Sequence, residues 1–213
     1  MLTLYGYWRS SAAYRVRIAL NLKGLSYESL SVHLVKDGGQ QHFDDYQALN
    51  PAQLVPTLVD GDLTLNQSMA ILHYLDETYP QYPLLPKDTV NKAKIMAFAL
   101  DIACEMHPTN NLRVLQYLKN PLGHDQDETE TWYRHWLTLG FDALELRLQQ
   151  HAGDYCFGDQ VSLADLTLVP QVYNAYRYQL DMTPYPIIRQ IYKNCLALDA
   201  FFKASPEQQP DAI

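Results

Sequence analysis

The chain has 213 residues, 47% of them hydrophobic and 19% charged, with a formal net charge of −8. That length supports one or two compact domains, and an acidic balance without any basic run argues against nucleic acid or an anionic membrane as the main partner. No apolar stretch approaches the ~20 residues that span a bilayer, and Arg9 interrupts the opening residues, so neither an anchor nor a secretory leader is expected. Leu2–Tyr7 reads as a first strand, and Val16, Ala19 and Leu20 recur at helical spacing in a helix from Ser11 to Lys23, with Gly24 as its stop. Tyr27–Val35 reads as a second strand, residues 36–41 as a loop, and Phe43–Leu49 as a short helix ending at Asn50-Pro51. Thr57–Val59 and Leu63–Leu65 flank Asp60-Gly61-Asp62, a hairpin signal, and Asn66-Gln67-Ser68 opens a helix that ends before Pro80.

The order is βαβ, a connection, then ββα. A crossover helix between the first two strands makes them parallel, and the hairpin adds an antiparallel pair. This is a thioredoxin-like α/β domain over residues 1–81, followed by a Pro-rich linker at 82–87. From 88 to 213 the strand signals stop and an all-α domain is expected. Ala93, Met96, Ala97, Leu100, Ala103 and Cys104 form one stripe, which Pro108 should break, and Leu112, Leu115 and Leu118 resume it. Trp132, Trp136, Leu139, Ala143 and Leu144 mark a long helix ending near Gly153. Ser162 and Asp165 have capping-box spacing at the start of the next, and Ile188–Leu198 closes the set.

Cys104, Cys156 and Cys195 are far apart and form no CxxC, as suits reduced thiols in a cytoplasmic protein. The seven histidines show no zinc spacing, so no metal site is expected. Chemistry concentrates instead in Arg9-Ser10-Ser11-Ala12-Ala13-Tyr14-Arg15-Val16-Arg17-Ile18-Ala19-Leu20, where a strand hands over to a helix. A helix N-terminus offers unpaired N–H groups and positive potential to an anion, a thiolate included, and lowers a thiol's pKa. The residues alone leave two readings open for Ser10 and Ser11, helix capping or anion binding. Gln67-Ser68 poses the same choice at a second helix start.

Ser10-Ser11-x-x-Tyr14-Arg15-Val16-Arg17-Ile18-Ala19-Leu20 resembles the SSCSWRVRIAL signature of the zeta-class glutathione transferases. Lys36-Asp37-Gly38-Gly39-Gln40-Gln41, Ala48-Leu49-Asn50-Pro51, Val55-Pro56-Thr57-Leu58 and Gln67-Ser68 are similar to that class too. So are Gly158-Asp159 with Ala164-Asp165-Leu166, the stretch Leu168-Val169-Pro170-Gln171 to Arg177, and Thr183-Pro184-Tyr185-Pro186. The class contains maleylacetoacetate isomerases and bacterial maleylpyruvate isomerases, and the resemblance covers nearly the whole chain.

The resemblance implies a glutathione transferase fold, glutathione as cofactor, a small enedioyl diacid as partner, and a homodimer. It assigns Ser10 to face the glutathione sulfur, with Ser11 beside it as the other catalytic residue. It places Gln41, Val55, Gln67, Ser68 and Asn110 on glutathione, with Val55 followed by a cis proline, and Gln67-Ser68 on the γ-glutamyl carboxylate. Arg9, Arg113 and Arg177 become the cations for the acid's carboxylates, since guanidinium pairs with carboxylate bidentately; His107 and Asn110 add polar lining. The implied reaction converts maleylacetoacetate to fumarylacetoacetate, in tyrosine and phenylalanine catabolism. Thiolate adds to the cis double bond, the resulting single bond rotates, and elimination returns the trans acid. Maleylpyruvate isomerisation and general transferase activity stand as alternatives. A dithiol redox enzyme is disfavoured, because Ser10-Ser11-Ala12-Ala13 stands where a CxxC belongs. Ala12 replaces the class's usual Cys, so activation of the thiol falls to Ser10 and the helix N-terminus.

Overall fold

The computed structural model describes residues 1–212. The chain divides into two compact units, Met1–Leu84 with Leu196–Ile213, and Leu85–Cys195. The first unit carries a four-stranded sheet of order β2-β1-β3-β4, made of β1 (Leu2–Gly6), β2 (Tyr27–Ser31), β3 (Thr57–Asp60) and β4 (Leu63–Asn66). β1 pairs parallel to β2 and antiparallel to β3, and β3 pairs antiparallel to β4.

Helix α1 (Ser11–Leu22) is the crossover between β1 and β2, and Ser11 to Leu20 are all buried in it. A Cβ at Gly6 would stand 3.3 Å from that of Ala13, so the missing side chain lets β1 and α1 approach closely. Gly24, at φ +65°, ends α1 in a Schellman turn: Leu25 N–H donates to Leu20 O (2.9 Å) and Gly24 N–H to Asn21 O (3.1 Å). The short α2 (Asp44–Leu49) precedes β3, and α3 (Ser68–Thr78) follows β4, burying Ile71, Leu72 and Leu75. Inside this core Lys23 Nζ donates to Asp76 Oδ1 (2.9 Å), Tyr79 O (2.9 Å) and Tyr82 O (2.7 Å), so its buried charge is fully met.

The second unit is helical. α4 (Thr89–Leu100) runs through a π-helical stretch over Asp101–Met106 into α5 (His107–Thr109). α6 (Leu112–Lys119), α7 (Gln126–His151), α8 (Leu163–Arg177) and α9 (Pro186–Leu196) follow. Every residue of α8 from Leu163 to Val172 is buried, the mark of a helix surrounded on all sides. Asp165 caps it: its carboxylate accepts from Cys156 N–H and Ser162 N–H (2.8 Å each) and from Ser162 Oγ–H (3.1 Å). Burial raises its pKa, and these donors oppose that rise.

Several elements depart from the sequence reading. β2 ends at Ser31, not Val35: Val32 N–H still donates to Gly6 O (2.7 Å), but after it the chain's N–H groups turn to side chains. His33 N–H donates to Gln40 Oε1 (2.8 Å), while Val35 and Lys36 N–H donate to His33 Nδ1 (3.2 and 2.9 Å). Pro108 does not end the helix: the run from α4 continues through the π-helical stretch into α5, which contains Pro108, and the break falls later, at Asn110-Asn111. The last helix splits, and α10 (Asp199–Ala204) stands apart from α9. Consequently residues 88–213 do not cluster as one all-helical unit, because Leu196–Ile213 packs with the first. The reason lies on α1: Tyr14 Oη–H donates to Phe201 O (3.4 Å), Arg17 Nε–H to Ala204 O (2.9 Å) and Asn21 Nδ2–H to Ala200 O (3.0 Å). No helix among the described residues is long and apolar enough to cross a membrane.

Candidate functional site

In the first unit two helix N-termini are tied together by a buried arginine. Ser10 is the N-cap of α1, with extended backbone, and its Oγ accepts from Ala13 N–H (3.2 Å). Capping uses an acceptor lone pair of the hydroxyl and leaves its hydrogen to donate. The N–H groups of the first helical turn have no partner within the helix, so an anion beside Ser10 meets a hydroxyl donor and the positive end of α1. Ser11 is buried at the first helical position.

At α3 the N-cap is Gln67, with φ +67° and ψ 111°. A non-glycine residue there costs about 1–3 kcal/mol, and such strain persists where surrounding structure imposes it, often at ligand sites. The next residue, Ser68, is buried, and its Oγ accepts from Arg15 Nη1–H (3.2 Å). Arg15 projects from α1 and is only 1% exposed. It therefore joins the Ser10 end of α1 to the Gln67-Ser68 start of α3.

The turn before β3 is fixed by a polar cluster. Val55-Pro56 is cis. The Leu54 carbonyl just ahead of it accepts from Tyr46 Oη–H (2.7 Å) and Asn50 Nδ2–H (2.8 Å). Asn50 Oδ1 accepts from Ala52 N–H and Asn66 Nδ2–H, both at 3.1 Å. Burial raises the Tyr46 pKa, with hydrogen bonds to Thr57 and Asn50 opposing it, so the phenol remains a neutral donor at physiological pH. Gln41 is buried, with its amide nitrogen turned toward Leu34 O (3.4 Å) and its Oε1 unpartnered.

Arg9 lies on an aromatic shelf. Its guanidinium stands 4.7 Å from the Trp8 ring centre and 5.8 Å from that of Tyr7, and Arg9 Nη2–H donates to Tyr7 Oη (3.1 Å). A stacked guanidinium keeps its edge donors available for a planar carboxylate.

The second unit holds Asn110, Arg113 and Arg177. Arg177, last residue of α8, stands 4.4 Å from the centre of the Tyr178 ring, which is stacked on Tyr133 at 3.6 Å. Burial pushes the Tyr133 phenol well up, while the charge of Arg177 and hydrogen bonds with Arg177 and Asn174 oppose this. Asn110 Nδ2–H donates to Tyr133 O (3.3 Å), and its buried Oδ1 has no partner. Tyr133 thus touches both Asn110 and Arg177. Arg113 is exposed, and no hydrogen bond or ring contact joins it to that cluster among the described residues. The described residues also contain no group of three or more His, Cys, Asp or Glu that could hold a metal.

The sequence reading missed the supports. Tyr7, Trp8, Arg15, Tyr46, Asn50, Tyr133 and Tyr178 set the geometry without having been given a role there, although Arg15 and Asn50 stand in segments that resemble the class. For some a signal existed: Arg15 and Arg17 stand among the apolar residues Ala12, Ala13, Val16, Ile18, Ala19 and Leu20, and Tyr7-Trp8 precedes a candidate cation.

Comparison with known proteins identifies the arrangement. A family model for the glutathione S-transferase N-terminal domain matches residues 4–83. A probable maleylacetoacetate isomerase of Vibrio cholerae is 56% identical over 99% of this chain and 98% of its own length. The holo structure of a maleyl pyruvate isomerase, described as a bacterial glutathione transferase of the zeta class, superposes with a TM-score of 0.96 at 46% identity, covering 99% of this chain and 100% of its own. A maleylacetoacetate isomerase of Methylobacterium extorquens AM1, solved with bound malonate and glutathione, gives 0.94 at 42% identity, covering 99% of each chain. With a mixed four-stranded sheet, a helical second unit and this likeness along its whole length, the chain belongs to the zeta class of glutathione transferases, alongside the maleylacetoacetate and maleylpyruvate isomerases.

Proposed function

We propose that this protein is a glutathione-dependent cis–trans isomerase acting on maleylacetoacetate. The observation that carries the proposal is the pair of helix N-termini joined by Arg15, one capped by a serine whose hydrogen is left to donate. Glutathione fits the donor set in chemistry: an anionic sulfur suits Ser10 and the α1 N-terminus, and a carboxylate suits the strained Gln67 and Ser68 at the α3 N-terminus. Gln41 and the backbone at Val55 serve the rest of the tripeptide.

Bound glutathione supplies the thiol that adds reversibly to the double bond, permitting rotation. Ser10 donates to the sulfur and stabilises its anionic form, while the first-turn N–H groups of α1, Ser11 among them, add positive potential. Arg9, Arg113 and Arg177 take the acid's carboxylates and hold negative charge that develops next to them. Arg9 and Arg177 rest on aromatic rings, so less side-chain freedom is lost when they bind. Tyr46 stays protonated and donates to Leu54 O, and Tyr133 stays protonated while its oxygen accepts from Arg177.

The 56% identity to a probable maleylacetoacetate isomerase supports that substrate. The TM-score of 0.96 to a maleyl pyruvate isomerase supports maleylpyruvate as the second reading, and malonate bound with glutathione in a relative supports a small diacid for either. We also place the protein in the cytoplasm as a homodimer, readings that rest on the class and on the three separate cysteines. The test is a glutathione-dependent isomerisation assay on both acids with wild type and Ser10→Ala. Conversion that requires glutathione and falls in the variant supports the proposal, and conversion independent of glutathione refutes it.

A further inference from the structure

The turn that carries Arg9 and Ser10 is gripped from the far end of the chain. Ser10 N–H donates to Tyr7 O (2.9 Å), closing the turn locally. Trp8, in the middle, is held at both its peptide groups by charged side chains. Its N–H donates to Asp211 Oδ2 (3.1 Å), and its carbonyl accepts from Arg17 Nη2–H (2.9 Å). Arg17 is 3% exposed, and it also donates through Nη1 to Tyr7 O (3.4 Å) and through Nε to Ala204 O (2.9 Å). The same Asp211 oxygen accepts from Ser31 Oγ–H at the end of β2 (2.8 Å). Burial lowers the Arg17 pKa to about 10, and Asp211 is among the groups that help keep it charged. One carboxylate thus ties together the end of β2, the backbone before Arg9, and the segment following α10.

We infer that Asp211 is a positioning residue, which together with Arg17 sets where the Ser10 hydroxyl and the Arg9 guanidinium stand. It touches neither of them. Its effect runs through Trp8, whose peptide groups determine the path of the turn and whose ring forms the Arg9 shelf. Hydrogen-bond strength falls steeply with distance and angle, so a small shift of this turn weakens a donor aimed at a sulfur. This inference rests on the reading of Ser10 as the donor to the glutathione sulfur.

The test uses the full chain with Asp211→Ala and Asp211→Asn, and follows the ultraviolet thiolate absorbance of bound glutathione against pH, with no acid substrate present. Loss of a charge-assisted contact corresponds to about one pH unit and about tenfold in rate. For Asp211→Ala the thiolate midpoint should rise by about that unit and kcat should fall by about that factor, with glutathione still bound. Asp211→Asn retains an oxygen acceptor in the same shape, so it should recover most of both and guards against a misfolded alanine variant. Variants that melt earlier but keep the wild-type midpoint and kcat would show a structural role only and overturn the inference. A wild type with no thiolate absorbance would instead overturn the Ser10 reading, and the inference would fall with it.

Discussion

Ser10→Ala separates the two jobs that one hydroxyl performs. As a cap, Ser10 accepts from Ala13 N–H at 3.2 Å, and losing such a cap costs about 1 kcal/mol of stability. As a donor to an anionic sulfur it contributes about 1.5–3 kcal/mol, the range for hydrogen bonds to charged groups. That range converts to roughly one to two units in the pKa of the bound thiol and roughly ten- to a hundredfold in rate. The sign is fixed: without the donor the thiolate is less stable, the bound thiol's pKa rises, and the acid limb of the pH–rate profile moves to higher pH. Ser10→Gly is the control, because glycine at an N-cap costs only a few tenths of a kcal/mol while removing the same donor. Denaturation curves, thiolate absorbance and kcat would be measured on both variants. The reasoning predicts a stability gap between alanine and glycine and nearly equal kinetic losses. If kinetic losses track stability instead, or the thiolate midpoint does not move, Ser10 is a cap and no more.

Other expectations follow from the supports. Arg177→Lys keeps the charge but loses the planar stack on Tyr178, so KM for the acid should rise about tenfold while glutathione binding is retained; unchanged acid kinetics would remove Arg177 from the site. Asn50→Ala leaves the Leu54 carbonyl with a single side-chain donor, so KM for glutathione should rise several-fold and stability should drop by about 2 kcal/mol. An unchanged KM would show that the Val55 turn needs no such support. Lys23→Met removes the cation from the Asp76 carboxylate and leaves it the Leu84 N–H (2.7 Å), and the loss should be about 3–5 kcal/mol by urea denaturation. Lys23→Met with Asp76→Asn should lose less, and equal losses would mean that charge is not the cause.

What was legible in the sequence was mostly local. The parallel strands joined by a crossover helix, the Asp60–Asp62 hairpin, the Gly24 stop and the Ser162–Asp165 cap all depend on neighbours in sequence, and they appear in the structure. The readings that shifted depend on partners elsewhere. β2 stops short because, beyond Val32, the side chains of Gln40 and His33 take the N–H groups of His33, Val35 and Lys36. α10 joins the first unit because Arg17, Tyr14 and Asn21 on α1 hold its carbonyls, contacts across nearly the full length of the chain. The candidate site followed the same rule. Ser10, Gln67 and Ser68 announced themselves at helix starts, whereas the Arg15 link between those starts and the Tyr133–Tyr178 stack under Arg177 arise only on folding.

The central claim is that glutathione acts as a catalyst rather than as a consumed reagent. The most direct measurement follows maleylacetoacetate and glutathione together by proton NMR, with purified protein and glutathione far below the acid in concentration. The account predicts many turnovers of cis acid to trans acid per glutathione, with the tripeptide recovered unchanged. No conversion, or one conjugate formed for each glutathione lost, would contradict it.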